Sequence, residues 1–232
     1  MLFEAWDFLT TPAAFWARRR GFLHYSIAMA YRARRCSSAW SGHLENCRTE
    51  FSSFLSAFPE AKTLAILGSG LMIETPPELI PSGIEIIYLY DAVHTKEVRQ
   101  KIQKSPHSEK FILQEIDLIS PELPIPVDLL VSANLLSQLP LHAPSQLQGK
   151  QNRKNIQEQH IKLCQKSASN FLLYSDLKMN FRDNQGDLIQ QEKTVDITAN
   201  WKNNWLWNLA PAPETDKNYS IELEVSSFQS LS

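Results

Sequence analysis

The sequence lacks several features that would place it in a specialised class of protein. No apolar run approaches the roughly 18 residues that a bilayer-spanning helix needs. Only three cysteines occur in 232 residues, and their odd number and wide spacing argue against a disulfide framework or a zinc site. The net charge of −2 argues against a general nucleic-acid binder, which is usually strongly basic. We therefore expect a cytoplasmic protein with reduced thiols, no membrane partner, no metal and no nucleic-acid substrate.

Acidic residues are missing from a long stretch near the N-terminus, between Asp7 and Glu45. Six arginines lie there, and apolar and aromatic residues recur at mostly helical intervals. We predict that residues 1–58 form a helical extension that packs on the rest of the chain as a lid, with solvated arginines. Interleaved arginines and aromatics are also typical of an anion- or nucleic-acid-binding surface, which is the alternative interpretation.

Part of this extension has a second interpretation. Residues 19–23 resemble a twin-arginine export motif, and residues 28–30 resemble a signal-peptidase site. The apolar stretch between them is short and is interrupted by His24 and Tyr25. We therefore predict a helix of a cytosolic protein here rather than a removable leader.

From residue 59 the pattern changes to alternating strands and helices. Runs rich in apolar and β-branched residues predict strands at residues 63–67, 84–90, 111–115, 127–131 and 171–174. Intervening helices are predicted at about residues 75–80, 95–104, 135–140 and 152–166. Pro121, Pro124 and Pro126 predict a loop before the fourth strand. This alternation predicts an α/β fold, with a doubly wound, mainly parallel Rossmann-like sheet over residues 59–232.

The C-terminal part of the chain is rich in hairpin signals. Residues 184–187 form a turn signal between two short strands, and residues 219–225 alternate like an edge or antiparallel strand. Trp201, Trp205 and Trp207 lie close together in the sequence. They could line an aromatic or cationic substrate pocket, or they could seal the core edge or form a homodimer interface.

The first strand leads into a glycine turn, Gly68-Ser69-Gly70. Glycines there allow the backbone to approach a ligand closely. Thr75 and Glu78 are placed to cap a following helix, with Pro76 at its first position. Strand, glycine turn and helix start together predict the front half of a nucleotide-binding βαβ unit.

Polar residues also follow the other predicted strands, where sheets of this kind bind ligands. Asp91 ends the second strand, 21 residues after Gly70, which is near the spacing at which an acid meets ribose hydroxyls. Asp117 follows the third strand, and Ser132 and Asn134 follow the fourth. Their joint placement predicts a ligand site at one edge of the sheet.

This order of motifs resembles the class I S-adenosylmethionine-dependent methyltransferases. Residues 67–71, 90–94 and 132–141 resemble more narrowly a group of bacterial methyltransferase-like proteins, over roughly residues 48–207. The resemblance implies S-adenosylmethionine as cofactor and methyl transfer to an unidentified, small-molecule or other, acceptor. It further implies that the glycine turn holds the methionine part, Asp91 the ribose and Asp117 the adenine amino group, and we add Ser69 and Ser132 to this cofactor set.

Two positions depart from the family pattern. Ile66 stands where the family commonly has an acid that orients the methionine amine, and Met72 replaces the third glycine of a fuller loop. A nicotinamide-binding fingerprint also fails, because Ile73 fills its third glycine position. The alternative function is therefore a catalytically silent Rossmann-like binding or assembly protein.

Methyl transfer needs alignment, a dry pocket and sometimes a base. The candidate catalytic residues are His94, Asn134 and Asp176, all near predicted strand ends. Asn134 and Gln138 are spaced to share a helical face, where they could present amides to a substrate or satisfy the helix start. His160 is a further candidate base, but it lies within a predicted amphipathic helix, and we expect it as a satisfied histidine on the surface.

Overall fold

The computed structural model describes residues 2–119, 126–144, 147 and 149–230. The helices are α1 (Leu2–Thr10), α2 (Phe15–Arg19), α3 (Phe22–Arg35), α4 (Ser37–Ser56), α5 (Lys96–Gln103), α6 (Leu135–Gln138) and α7 (Lys150–Ser167). The strands are β1 (Thr63–Leu67), β2 (Ile86–Asp91), β3 (Phe111–Glu115), β4 (Val127–Ala133), β5 (Ala168–Asp183), β6 (Leu188–Lys193), β7 (Lys202–Ala210) and β8 (Tyr219–Ser230). Short 3-10 turns occur at Pro77–Leu79, Ser108–Lys110 and Leu139–His142.

The described strands form one mixed sheet in the order β3-β2-β1-β4-β5-β8-β7, with β6 paired to β5. Strands β1 to β5 are parallel to one another, whereas β6, β7 and β8 pair antiparallel with their neighbours. The predicted mainly parallel α/β sheet is therefore confirmed. Its strand order reverses between β1 and β4. Doubly wound sheets bind ligands in the crevice that forms at such a reversal.

Helices pack on both faces of the parallel sheet. Alternate side chains of each strand point to opposite sides, so each strand contributes to two cores. On β1, Leu64 and Ile66 join one core with residues of α4 and α5. Ala65 and Leu67 join the other core with residues of α6 and α7. The end of α4 thus packs in the core of the sheet, and the division of the chain at residue 58 stays a proposal.

The predicted helix at residues 75–80 is wrong, since only the 3-10 turn Pro77–Leu79 forms there. Pro77 restricts the preceding residue, and Pro76 is accordingly extended with ψ 141°. Neither Thr75 nor Glu78 caps this turn, because its N-terminus has no side-chain hydrogen bond. The expected helix start facing a ligand is therefore absent from this part of the described chain.

The bounds of some strands agree with the prediction, and those of others do not. Strands β1 and β3 have the predicted bounds, whereas β5 is much longer than predicted. Strand β8 lies between β5 and β7, so it is antiparallel as one alternative had it but it is not an edge. Pro121 and Pro124 of the predicted loop lie outside the described residues. None of the described helices combines the length and apolar character that a bilayer span requires.

Candidate cofactor site

A cavity of about 140 Å³ lies at the carboxyl ends of β1, β2 and β4. Gly68 and Gly70 line it after β1, Asp91 at the end of β2, and Asn134 after β4. One face of α3 closes it with residues spaced three and four apart, Phe22, Tyr25, Ser26 and Met29. The structure thus brings four of the sequence-predicted site residues together under the N-terminal helices.

The glycine turn requires glycine for two reasons. Gly68 has φ 68° and Gly70 has φ 52°, which side chains disfavour. A Cβ on Gly68 would also collide with the side chain of Leu135. Met72 adopts φ 53° in the same turn, a conformation in which a residue with a Cβ is strained by roughly 1–2 kcal/mol. The turn therefore keeps a glycine-like backbone at Met72, and the buried methionine side chain anchors it in the core.

Asp91 holds the glycine turn from the end of β2. Its Oδ2 accepts a hydrogen bond from the Gly70 N–H at 2.8 Å, and its Oδ1 accepts one from the Ala92 N–H at 2.7 Å. Burial raises the pKa of this carboxyl, although these backbone donors favour its charged form. Asp91 is thus an acceptor fixed at the cavity wall.

Asp117 has a different environment outside the cavity lining. Its carboxylate forms an ion pair with Arg20 of the N-terminal helices. The same guanidinium donates to the His142 carbonyl at 2.9 and 3.0 Å and lies over the rings of Trp16 and Phe22. Asp117 therefore fastens the N-terminal helices to the sheet.

Two predicted serines face histidines rather than the cavity. Ser69 Oγ lies 3.2 Å from His94 Nε2, and Ser132 Oγ lies 2.7 Å from His160 Nε2. All four side chains are buried, so the expectation of a surface His160 is wrong. His160 points inward because the other core lies on that side of α7. Burial lowers the pKa of both His94 and His160 to about 4, so both imidazoles are neutral at pH 7.

The candidate catalytic residues are differently placed. Asn134 lines the cavity, whereas neither His94 nor Asp176 is part of its described lining. Asp176 accepts a hydrogen bond from Ser137, and burial raises its pKa. Behind the cavity wall, Ser137 accepts a 3.4 Å hydrogen bond from Gln138, whose Oε1 accepts one from the Tyr25 hydroxyl at 2.8 Å. A hydrogen-bond chain thus connects the cavity to a buried carboxyl.

Sequence reasoning missed Glu74, Tyr25 and His142 as lining residues. For Tyr25 a signal existed, because residues 22, 25, 26 and 29 recur at the spacing of one helical face. Glu74 is a single acid in an apolar segment, which is a signal in the sequence. Because we predicted a helix directly after it, its place in the cavity wall was not predicted. Trp207 also lines the cavity, and its ring stacks on His43 with centroids 4.0 Å apart.

No protein-family model matches the chain, and no curated protein sequence matches it. Among solved structures it is similar to the magnesium protoporphyrin IX methyltransferase of Synechocystis PCC 6803 with bound S-adenosylmethionine, at 17% identity, 80% coverage of each chain and TM-score 0.45. It is also similar to the N-methyltransferase NodS of Bradyrhizobium japonicum WM9 in complex with S-adenosyl-L-homocysteine, at 12% identity, covering 80% of this chain and 86% of that one, with TM-score 0.46. Since both TM-scores are below 0.5, we base the proposed function on the chain's own sheet and cavity.

Proposed function

We propose that this chain is an S-adenosylmethionine-dependent methyltransferase of the class I type, with an acceptor that is not identified. The observation that carries the proposal is the cavity at the strand-order reversal, with Gly68, Gly70 and Asp91 in its wall. An open backbone turn beside a fixed carboxylate is the arrangement that recognises a ribose and the chain attached to it.

The residues present suit this cofactor in chemical type. Gly68 and Gly70 let the backbone approach the ligand, and the Asp91 carboxylate accepts hydrogen bonds from ribose hydroxyls. The aromatic side chains of Phe22 and Tyr25 line the cavity, and aromatic rings attract a cationic sulfonium. Asp117 contacts an adenine only if its pair with Arg20 opens.

When bound, the cofactor would supply an activated methyl group for transfer to the acceptor. The chain's own contribution is to align the reactants and exclude water, which α3 does by covering the cavity. The hydrogen bonds from Tyr25 through Gln138 and Ser137 to Asp176 hold the Tyr25 hydroxyl and the Gln138 amide in the cavity wall, where they can orient an acceptor.

One observation favours the second candidate, a catalytically silent binding or assembly protein. The cavity of about 140 Å³ is smaller than the roughly 300–1,000 Å³ of ordinary ligand pockets. Under the methyltransferase proposal, α3 has to move outward when the cofactor enters. Under the alternative, α3 stays in place and closes the cavity permanently.

Calorimetric titration of the full chain with S-adenosylmethionine and S-adenosylhomocysteine tests the proposal. We expect both to bind with dissociation constants well below about 1 mM. Circular dichroism and a cooperative melt verify that the protein is folded. If the folded protein binds neither ligand at about 1 mM, the methyltransferase proposal is refuted and the catalytically silent binding or assembly protein remains.

A further inference from the structure

The inner wall of the cavity carries polar groups that the fold itself does not satisfy. Burial raises the pKa of the Glu74 carboxyl, and the neighbouring Asn134 amide opposes this shift only weakly. Neither Nδ2 nor Oδ1 of Asn134 has a partner within hydrogen-bond geometry among the described residues. The buried indole Nε1 of Trp207 likewise has no acceptor in the described part of the chain. Buried polar groups left without partners in a cavity wall indicate a missing ligand or water.

Glu74 is held in this wall by its neighbours. Met72 and Ile73 precede it, and their carbonyls accept hydrogen bonds from the side chains of Lys101 and Arg48. The Met72 side chain is fully buried, which anchors the segment in the core. The backbone that carries Glu74 is therefore anchored, and burial raises the pKa of its carboxyl. A half-buried charge of this kind is stabilised when a group of opposite charge lies beside it.

The available groups match the two ends of an amino acid. Glu74 and the Asn134 Oδ1 can only accept hydrogen bonds when Glu74 is ionised, as an ammonium requires. The Asn134 Nδ2 and the Trp207 N–H can only donate, as a carboxylate requires. No arginine or lysine is part of the described cavity lining, so the carboxylate end would rely on these neutral donors.

We propose that Glu74, Asn134 and Trp207 bind the amino-acid end of the cofactor, with Glu74 receiving its ammonium group. Glu74 then replaces the acid that is missing at Ile66, a fully buried core position. This inference rests on the proposed function, because it assigns a role within the same cavity. It also gives Met72 a purpose, since its backbone directs the following segment to the wall.

Two ligands that differ only at the amino-acid end isolate this assignment. S-adenosylhomocysteine carries the amino acid, and 5′-methylthioadenosine lacks it. We expect Glu74→Gln to weaken S-adenosylhomocysteine binding at least about tenfold, because a charge-assisted hydrogen bond is lost, while methylthioadenosine affinity stays within about twofold. Glu78→Gln is the matched control, since Glu78 is an exposed acid four residues away, and it should change neither affinity.

Two further variants keep the test decisive if Glu74→Gln folds poorly. Asn134→Gly removes the amide at φ 50° without backbone strain, and Trp207→Phe keeps an aromatic ring but removes the N–H. Each should weaken S-adenosylhomocysteine about three- to tenfold and spare methylthioadenosine. Equal effects of a variant on both ligands, or no effect on either, would overturn the assignment. The proposed function would still stand in that case, provided that the wild-type protein binds S-adenosylhomocysteine. A wild-type protein that binds neither ligand would instead refute the proposed function itself.

Discussion

Asp91 and Asp117 follow two neighbouring parallel strands, β2 and β3, and the sequence pattern presents them alike. Asp91 faces the cavity, and its two oxygens accept hydrogen bonds from the backbone of Gly70 and Ala92. Asp117 is 38% exposed and forms an ion pair with Arg20 from the N-terminal helices. Asp91 lies in the wall of the proposed ligand site. Asp117 instead holds the N-terminal helices α2 and α3, which we call the cover of that site.

The difference between the two acids comes from what the rest of the chain places opposite them. A strand end presents a carboxylate at the same edge of the sheet in both cases. The glycine turn after β1 offers backbone donors to Asp91, and α2 with its flanking residues offers a guanidinium to Asp117. The role of an acid at a strand end is thus decided by a partner distant in sequence, 21 residues away for Gly70 and 97 for Arg20.

Asp91→Ala should have the largest effect. It removes the charged acceptor of the Gly70 and Ala92 N–H groups, so unfolding should become easier by about 1–3 kcal/mol in urea denaturation. Under the proposed function, loss of the ribose acceptor should also weaken S-adenosylhomocysteine binding by about 1–3 kcal/mol in a calorimetric titration.

A matched control for Asp91→Ala exists in the β5–β6 hairpin. Asp183 accepts hydrogen bonds from the backbone of Gln185 and Asp187, at an exposed turn that is not part of the described cavity lining. Asp183→Ala should therefore lower stability without changing ligand affinity. If Asp91→Ala leaves the affinity unchanged as well, our placement of the ribose is refuted.

The sheet was largely predictable because its signals are local. Short runs rich in apolar residues mark strands, and both β1, which is mostly buried, and β3, which alternates between half-buried and exposed residues at the sheet edge, have the predicted bounds. The predicted helix at residues 75–80 does not form because Pro77 holds the preceding Pro76 extended, so that only a 3-10 turn follows. The interior position of β8 depends on its pairing with β5 and β7. An alternating apolar–polar pattern does not distinguish an interior strand from an edge strand.

The site was predictable only in part. Gly68, Gly70 and Asp91 line one cavity because strand ends meet at one edge of the sheet, and their binding role stays a prediction. Ser69 and Ser132 share that edge, but their side chains point to buried histidines. Glu74 reaches the cavity through an irregular segment, which no periodic pattern describes.

Arg20→Ala should have the next largest effect, on the cover rather than on the glycine turn. The variant loses the ion pair with Asp117, the hydrogen bonds to the His142 carbonyl and the contact with Phe22. We expect a loss of about 1–3 kcal/mol in urea denaturation and faster tryptic cleavage within residues 1–58. Arg19→Ala is the control, because Arg19 is an exposed neighbour. Equal behaviour of the two variants would show that Asp117 does not fasten the cover.

Asp117→Asn should have the smallest effect, and it tests the comparison most directly. Arg20 keeps its hydrogen bonds to His142 and its aromatic contacts, and the partly exposed ion pair is worth about 0–1 kcal/mol in urea denaturation. S-adenosylhomocysteine affinity should stay within about twofold, whereas Asp91→Asn should lower it clearly. A loss of affinity in Asp117→Asn as large as in Asp91→Asn would mean that Arg20 releases Asp117 to the ligand. The two acids would then serve one site, and α2 would have to open together with α3 whenever the cofactor binds.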